Sequence, residues 1–399
     1  MLACLGELAV TRALDMTTRP DTKKLDSRTS GENERRILRR DPNPHLFRPL
    51  KIRSVTVRNR IMLSPMCQYS ASDGMPNEWH FVHLGARAVG GAGIVSTEAV
   101  HTEPRGRITK HCLGLWSDEQ RDALKRIAEF VELNGATPAI QLGHAGRKAS
   151  VGRPWEGSSQ VLPDDGGWQT IGASSQAYAN GFLVPKAMSR DEISKNIDAL
   201  VHSVRRAREA GFKILEIHAA HGYLFHQFFS PLSNLRTDKY GGSFENRVRF
   251  FLESLDGIRA EWPSDLPLFV RLSVTDWVEG GWDVQDSVRL CNILEERGDV
   301  DLIDCSSGGN DPRQKIPIHP GYQTKFSQEI KQKTGLLTAS VGLINSPDLA
   351  EAIIANGWSD VVALGRTLMS DPHWPLRAAN ALKHNSNLWP EQYERSNIF

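Results

Sequence analysis

An α/β fold, and within that class a (β/α)8 TIM barrel, is what the sequence predicts. Three observations carry this. Eight short apolar runs with strand character follow one another, at 60–64, 93–98, 137–142, 214–218, 268–273, 302–306, 336–341 and 361–365. Amphipathic helical stretches lie between them, the alternation that folds into parallel βα units. Polar residues collect where the runs end, which in a barrel is the face that carries chemistry. A doubly wound open sheet is the alternative, since eight units do not by themselves require closure.

The bounds agree with one large catalytic domain. The chain has 399 residues, within the range of a single barrel. Its 48 basic and 47 acidic residues give a formal charge of +1, which argues against a nucleic-acid surface. No apolar run approaches the roughly 20 residues of a membrane helix. The five cysteines (4, 67, 112, 291 and 305) are scattered, with no C-x-x-C, so neither a disulfide framework nor an iron–sulfur cluster is expected. The composition reads as a cytoplasmic enzyme with no membrane or nucleic-acid partner.

Along the chain, residues 1–44 lack periodicity and are rich in charge, and they are expected to form a disordered extension. Glu7 and Asp15 argue against a transit peptide there. LFRPLKIRSVTVRNR, from Leu46, predicts a β-hairpin with Leu50, Ile52, Val55 and Val57 half buried. The clearest helix is 190–210, with Ile193, Ile197, Leu200, Val201 and Val204 on one face, a Ser189/Glu192 capping box and Gly211 at its end. Ser346–Pro347 and Ser370–Asp371–Pro372 are expected to open two later helices. Two insertions break the rhythm, a long one after strand 3 (145–188) and another after strand 6 (307–324), and both are expected to wall the catalytic face. The barrel is thus assigned to 45–388 and a C-terminal tail to 389–399.

The chemistry gathers at strand ends. His218, His221 and Tyr223 follow the fourth run within six residues, offering two imidazoles and a phenol to a polar substrate oxygen. A zinc site would want a third ligand, and none is evident nearby, so no metal is assigned. Structural histidines remain the other reading. Arg271 lies inside the fifth run, where a charge needs a buried anionic or electron-rich partner; salt bridges to Glu98 or Glu216 are the plainer account. Gly342, Gly365 and Arg366 end the seventh and eighth runs, the usual barrel phosphate site. Together these suggest a long phosphorylated cofactor across the mouth. Flavin mononucleotide fits, and a sugar phosphate also would, so a non-flavin lyase or isomerase and a flavin binder without turnover stay open.

The stretch HAAHGYLFHQFFSPLSNLRTDKYGGSFENRVRF resembles the signature of the Old Yellow Enzyme family of FMN-dependent ene-reductases. SPMCQYS, TEA, QLGHAGRK, VRLS, LGR and QYERS extend the resemblance over 46–396, and they resemble its thermophilic-like class, in which Cys67 stands where yeast-type members carry threonine. The resemblance implies non-covalent FMN held by Ser64, Pro65, Met66, Cys67, Ala99, Gln141, Arg271, Gly342, Gly365 and Arg366. It implies NAD(P)H, NADPH favoured, as transient hydride donor and an activated alkene as acceptor. His218 and His221 would hold the activating group, Tyr223 would be the proton donor and Tyr69 a second phenol. Arg395 would reach a neighbouring subunit's site, which implies a homodimer or a tetramer of dimers.

Overall fold

The computed structural model describes residues 43–384 and 388–396, so the expected extension 1–44 lies outside them but for its last two residues. The described chain opens with an antiparallel hairpin, β1 (Leu50–Ile52) and β2 (Val55–Val57), as the alternation predicts. Then come β3 (Ile61–Leu63), α1 (Glu78–Val89), β4 (Ile94–His101), α2 (Asp118–Leu133) and β5 (Thr137–Gly143). The first insertion is not structureless. It carries three single 3-10 turns and a small parallel pair, β6 (Ile171–Gly172) with β7 (Lys186–Ala187).

The remaining units are α3 (Arg190–Glu209), β8 (Ile214–Ala219), α4 (Leu224–Phe229), α5 (Phe244–Glu261), β9 (Leu268–Ser273), α6 (Val284–Arg297), β10 (Leu302–Ser306), α7 (Thr324–Lys333), β11 (Leu337–Val341), α8 (Pro347–Ala355), β12 (Val361–Leu364), α9 (Arg366–Ser370) and α10 (Trp374–Ala381). Strands β3, β4, β5, β8, β9, β10, β11 and β12 pair in that order, all parallel, and β12 returns to β3. The sheet is a closed (β/α)8 barrel, which removes the open doubly wound alternative. Parallel strands joined by helical crossovers leave no exposed edge once the ring closes.

Local chemistry fixes where elements begin. Asn77, Ser117 and Ser189 each cap a helix, with His80, Gln120 and Glu192 completing the reciprocal bonds. Ser346 caps α8 as expected. The expectation at Ser370–Asp371–Pro372 needs correction: Ser370 closes α9, and the next helix begins at Trp374, with Pro375 taking the first-turn position. A proline pre-set for the first turn competes with the earlier one, and Asp371 instead accepts the His373 amide.

The barrel interior begins with an apolar floor. Met62, Ile94, Ala139, Ile214, Phe269, Leu302, Ala339, Val361 and Ala363 pack together with Ile52 and Val57 of the hairpin, which thereby closes the lower end. Outward-facing strand residues pack under the helices in a second, larger cluster.

Candidate active site

The upper strand ends converge on one turn, 218–223. His218 ends the inward row of β8 and is 5 % exposed. His221 has a left-handed backbone, φ 59°, which a non-glycine residue adopts only when its surroundings over-determine it. Three distant segments do so. The His221 amide donates to Ser273 Oγ of β9 (2.8 Å), its Nε2 meets Ser306 Oγ of β10 (2.6 Å), and its carbonyl accepts Lys148 Nζ (2.8 Å). Gly222 follows at φ 71°, where a Cβ would lie 2.2 Å from the Gly309 carbonyl oxygen, so only glycine fits.

The three rings chosen from the sequence stand together. His218 lies 5.1 Å from His221 and 5.0 Å from Tyr223 between centroids, edge to face in both cases; His221 and Tyr223 are 6.4 Å apart. Burial, with Arg271 next, holds both imidazoles well below the ordinary histidine range, so they are neutral. Since His218 Nδ1 accepts the Ala220 amide, its proton is on Nε2. Burial pushes the Tyr223 phenol up, which keeps its proton in place.

A second wall comes from the loop after β3. Glu98 accepts the Gln68 amide at 3.0 Å and meets His80 Nε2 at 3.0 Å. That clamp fixes Cys67 and Tyr69, the latter also left-handed at φ 52°. Cys67, Tyr69, Trp168 and Tyr223 pack on a small core of Ile108, Cys112, Ala145 and Ala149, so the first insertion does wall the pocket. Cys112 and burial push the Cys67 thiol well above its usual range.

The residues on the other side fit a flavin phosphate. Gln141 is buried, and its amide donates to Glu216 Oε1 at 2.6 Å. Arg271 is 6 % exposed and pairs through Nε with Asp304 at 3.1 Å; its Nη1 reaches the Pro65 carbonyl only at 3.4 Å. The salt-bridge partner anticipated for Arg271, Glu98 or Glu216, is therefore corrected to Asp304, which stands directly beside it in the β9–β10 register. Gly342 has φ 128°, and a Cβ there would meet the Tyr322 ring at 3.0 Å. Gly365 lies against Met66, with 3.3 Å from its ideal Cβ to Sδ. Burial pushes the Tyr322 phenol up, with Arg366 and then Arg271 opposing the shift. A buried guanidinium and amide on one side, with glycine backbone and Arg366 on the other, match a ring system and a phosphate. Ser64, just past β3, and Ala99, within β4, are also buried.

Arg395 is not brought to this site within its own chain. It lies in the exposed turn Glu391–Ser396, where the neighbouring Tyr393 ring approaches His373 at 6.0 Å. The sequence reading also passed over Lys148. Its Nζ bridges the carbonyls of His221 and Gly309, 2.8 Å each, and stands 5.1 Å over the Tyr223 ring. Burial, then Arg147, lowers its pKa to about 7. The strand-end motif QLGHAGRK contains it, which was the available signal.

Residues 45–385 match the model of the NADH:flavin oxidoreductase / NADH oxidase family. A curated NADPH dehydrogenase of Geobacillus sp. (strain WCH70) is 44% identical over 352 residues, 88% of this chain and 98% of that protein. Among solved structures, morphinone reductase superposes with a TM-score of 0.72 at 27% identity, covering 85% of this chain and 90% of that one. A complex of 2-naphthoyl-CoA reductase gives 0.78 at 28% identity, over 86% of this chain; the chain spans 53% of that longer protein. The chain belongs to the NADH:flavin oxidoreductase / NADH oxidase family, as an FMN-dependent, NAD(P)H-dependent oxidoreductase on an Old Yellow Enzyme-type barrel.

Proposed function

We propose that the enzyme is an ene-reductase, reducing alkenes conjugated to a ketone, aldehyde, imide or nitro group. The observation that carries this reading is the convergence of two neutral imidazoles and one protonated phenol at 5.0–6.4 Å. His218 and His221 donate hydrogen bonds to the substrate's activating oxygen, where charge develops as hydride arrives. FMN, when bound, would supply the hydride chemistry between NAD(P)H, with NADPH the favoured donor, and the alkene β-carbon. Tyr223 then delivers its proton to the α-carbon, and Tyr69 stands as a second phenol on the substrate side. Ser64, Pro65, Met66, Cys67, Ala99, Gln141, Arg271, Gly342, Gly365 and Arg366 hold the cofactor. Arg271 would stabilise negative charge on the reduced cofactor.

The segment 389–399 reaches into a neighbouring subunit, where Arg395 completes the pocket, in a homodimer or a tetramer of dimers. Its exposure in the Glu391–Ser396 turn supports this reading. Among the described residues no helix is long and apolar enough to cross a membrane, and we place the enzyme in the cytoplasm.

The test is anaerobic turnover of 2-cyclohexenone, a maleimide and a nitroalkene with NADPH, followed by product analysis. Saturated product formed in step with NADPH consumption is expected. NADPH consumption that needs oxygen, with no saturated product from any acceptor, would remove the ene-reductase reading.

A further inference from the structure

Two carboxyl groups and one guanidinium share the buried barrel interior just below the mouth. Glu216 and Asp304 are 0 % exposed, and Arg271 is 6 % exposed. They stand two positions further along their strands than the apolar floor residues Ile214, Leu302 and Phe269, so the strand pleat turns them into the same interior. Glu216 Oε1 accepts from Gln141, while its Oε2 has no hydrogen-bond partner; neither Asp304 oxygen has an aligned donor, despite the Arg271 ion pair at 3.1 Å. Two carboxylates against one guanidinium would leave a net negative charge in a buried, low-dielectric interior. One proton on the pair removes that charge. Burial and Asp304 push Glu216 up to about 8, and burial raises Asp304.

Each carboxyl also backs a different proposed cofactor contact. Glu216 holds Gln141, and Asp304 holds Arg271. We propose that Glu216 and Asp304 are a proton-holding pair that, at a pH where it has lost its shared proton, takes that proton back from solvent when the cofactor above Gln141 and Arg271 is reduced, and releases it on reoxidation. The inference rests on the cofactor placement given under the proposed function.

The balance is simple. NAD(P)H becomes NAD(P)+ by giving up a hydride, two electrons and one proton, and no proton is released to solvent. The cofactor gains one negative charge. In a low-dielectric interior that charge raises the proton affinity of nearby carboxylates. One carboxylate and one solvent proton become one carboxyl, and no other bond changes. The groups acting on Glu216 are Asp304, Arg271 and the Gln141 amide; Arg271 acts on Asp304. His218, beside Arg271 in the register, is held neutral by burial. The plainer alternative is that both carboxyls only orient Gln141 and Arg271, and that alternative moves no proton.

The experiment uses the FMN-loaded enzyme, anaerobic and weakly buffered with an indicator dye. It is reduced by one equivalent of NADPH at a series of pH values from about 6 to about 9. Uptake should be near zero at the acid end, where the pair already holds its proton. It should rise toward one proton per flavin above the Glu216 titration near about 8. Glu216→Gln should abolish the uptake while the flavin still bleaches. Infrared difference spectra of the wild type should show a carboxyl C=O band gained on reduction and shifted in D2O; this decides the matter if the variant does not hold FMN.

Bleaching with no uptake at any pH overturns the proposal and leaves the functional reading standing. Uptake that falls as pH rises belongs to the cofactor itself and overturns it too, as does uptake unchanged in Glu216→Gln. A wild type that NADPH does not bleach overturns the reading beneath it, and the proposal with it.

Discussion

The lower and upper halves of the barrel interior come from the same eight strands and are both buried, yet they hold opposite chemistry. Below, Ile214, Phe269 and Leu302 pack with Met62, Ile94 and Val361, all fully buried. Two residues further on stand Glu216, Arg271 and Asp304, and two beyond those His218, Ser273 and Ser306. The pleat puts all three rows on one face. The floor contributes hydrophobic burial, about 25 cal/mol per Å², that offsets the cost of the polar rows above it. Each upper group is then free to be chosen for the reaction rather than for stability, a division common to functional sites.

Phe269→Ala should break the lower half hardest. It empties a fully buried ring position and should cost about 3–5 kcal/mol of unfolding free energy, measured by urea denaturation. Rates per folded, FMN-loaded molecule should stay near wild type. His218→Ala should do the reverse: a loss of ~3 kcal/mol in the transition state of enone reduction, roughly 10²–10³ in rate, with little change in the urea midpoint. If both variants lost stability and rate together, the two halves would not be separate in function. Arg395→Ala would remove the charge that the proposed subunit contact brings to the pocket. It should raise the enone KM by about 1.5 kcal/mol, roughly tenfold, without releasing FMN. An unaltered KM, or a wild type that scatters light as a monomer, would make the tail a plain surface segment. Ser189→Ala, outside the barrel interior, removes the α3 cap. About 1 kcal/mol of stability should go and nothing else.

How much of this the residues disclosed varies with the range of the interaction. All eight barrel strands were legible, because a short apolar run between capped helices has few other ways to fold. The second ran longer than its apolar pattern, through Val100 and His101, past a register shift between Ser96 and Ala99. His218, His221 and Tyr223 were legible as a cluster because they fall within six residues of chain. Arg271 was legible as a buried charge, but its partner was not, since choosing Asp304 requires the strand register. Glu98, the other candidate, is taken by His80 of α1, another contact with no local trace. Lys148 acts on carbonyls 73 and 161 positions away, a spacing that no periodicity encodes.

The most direct test of the central claim is stopped-flow kinetics on Tyr223→Phe, each half-reaction measured separately. The substitution keeps the ring on Ile108, Cys112 and Ala145 and deletes the acid. Flavin reduction by NADPH should be nearly unchanged, while reoxidation by 2-cyclohexenone should slow by roughly 10²–10⁴-fold and reoxidation by a nitroalkene by much less. Equal slowing of both half-reactions, or no slowing of either, would contradict the assignment of Tyr223 as the proton donor of an ene-reductase.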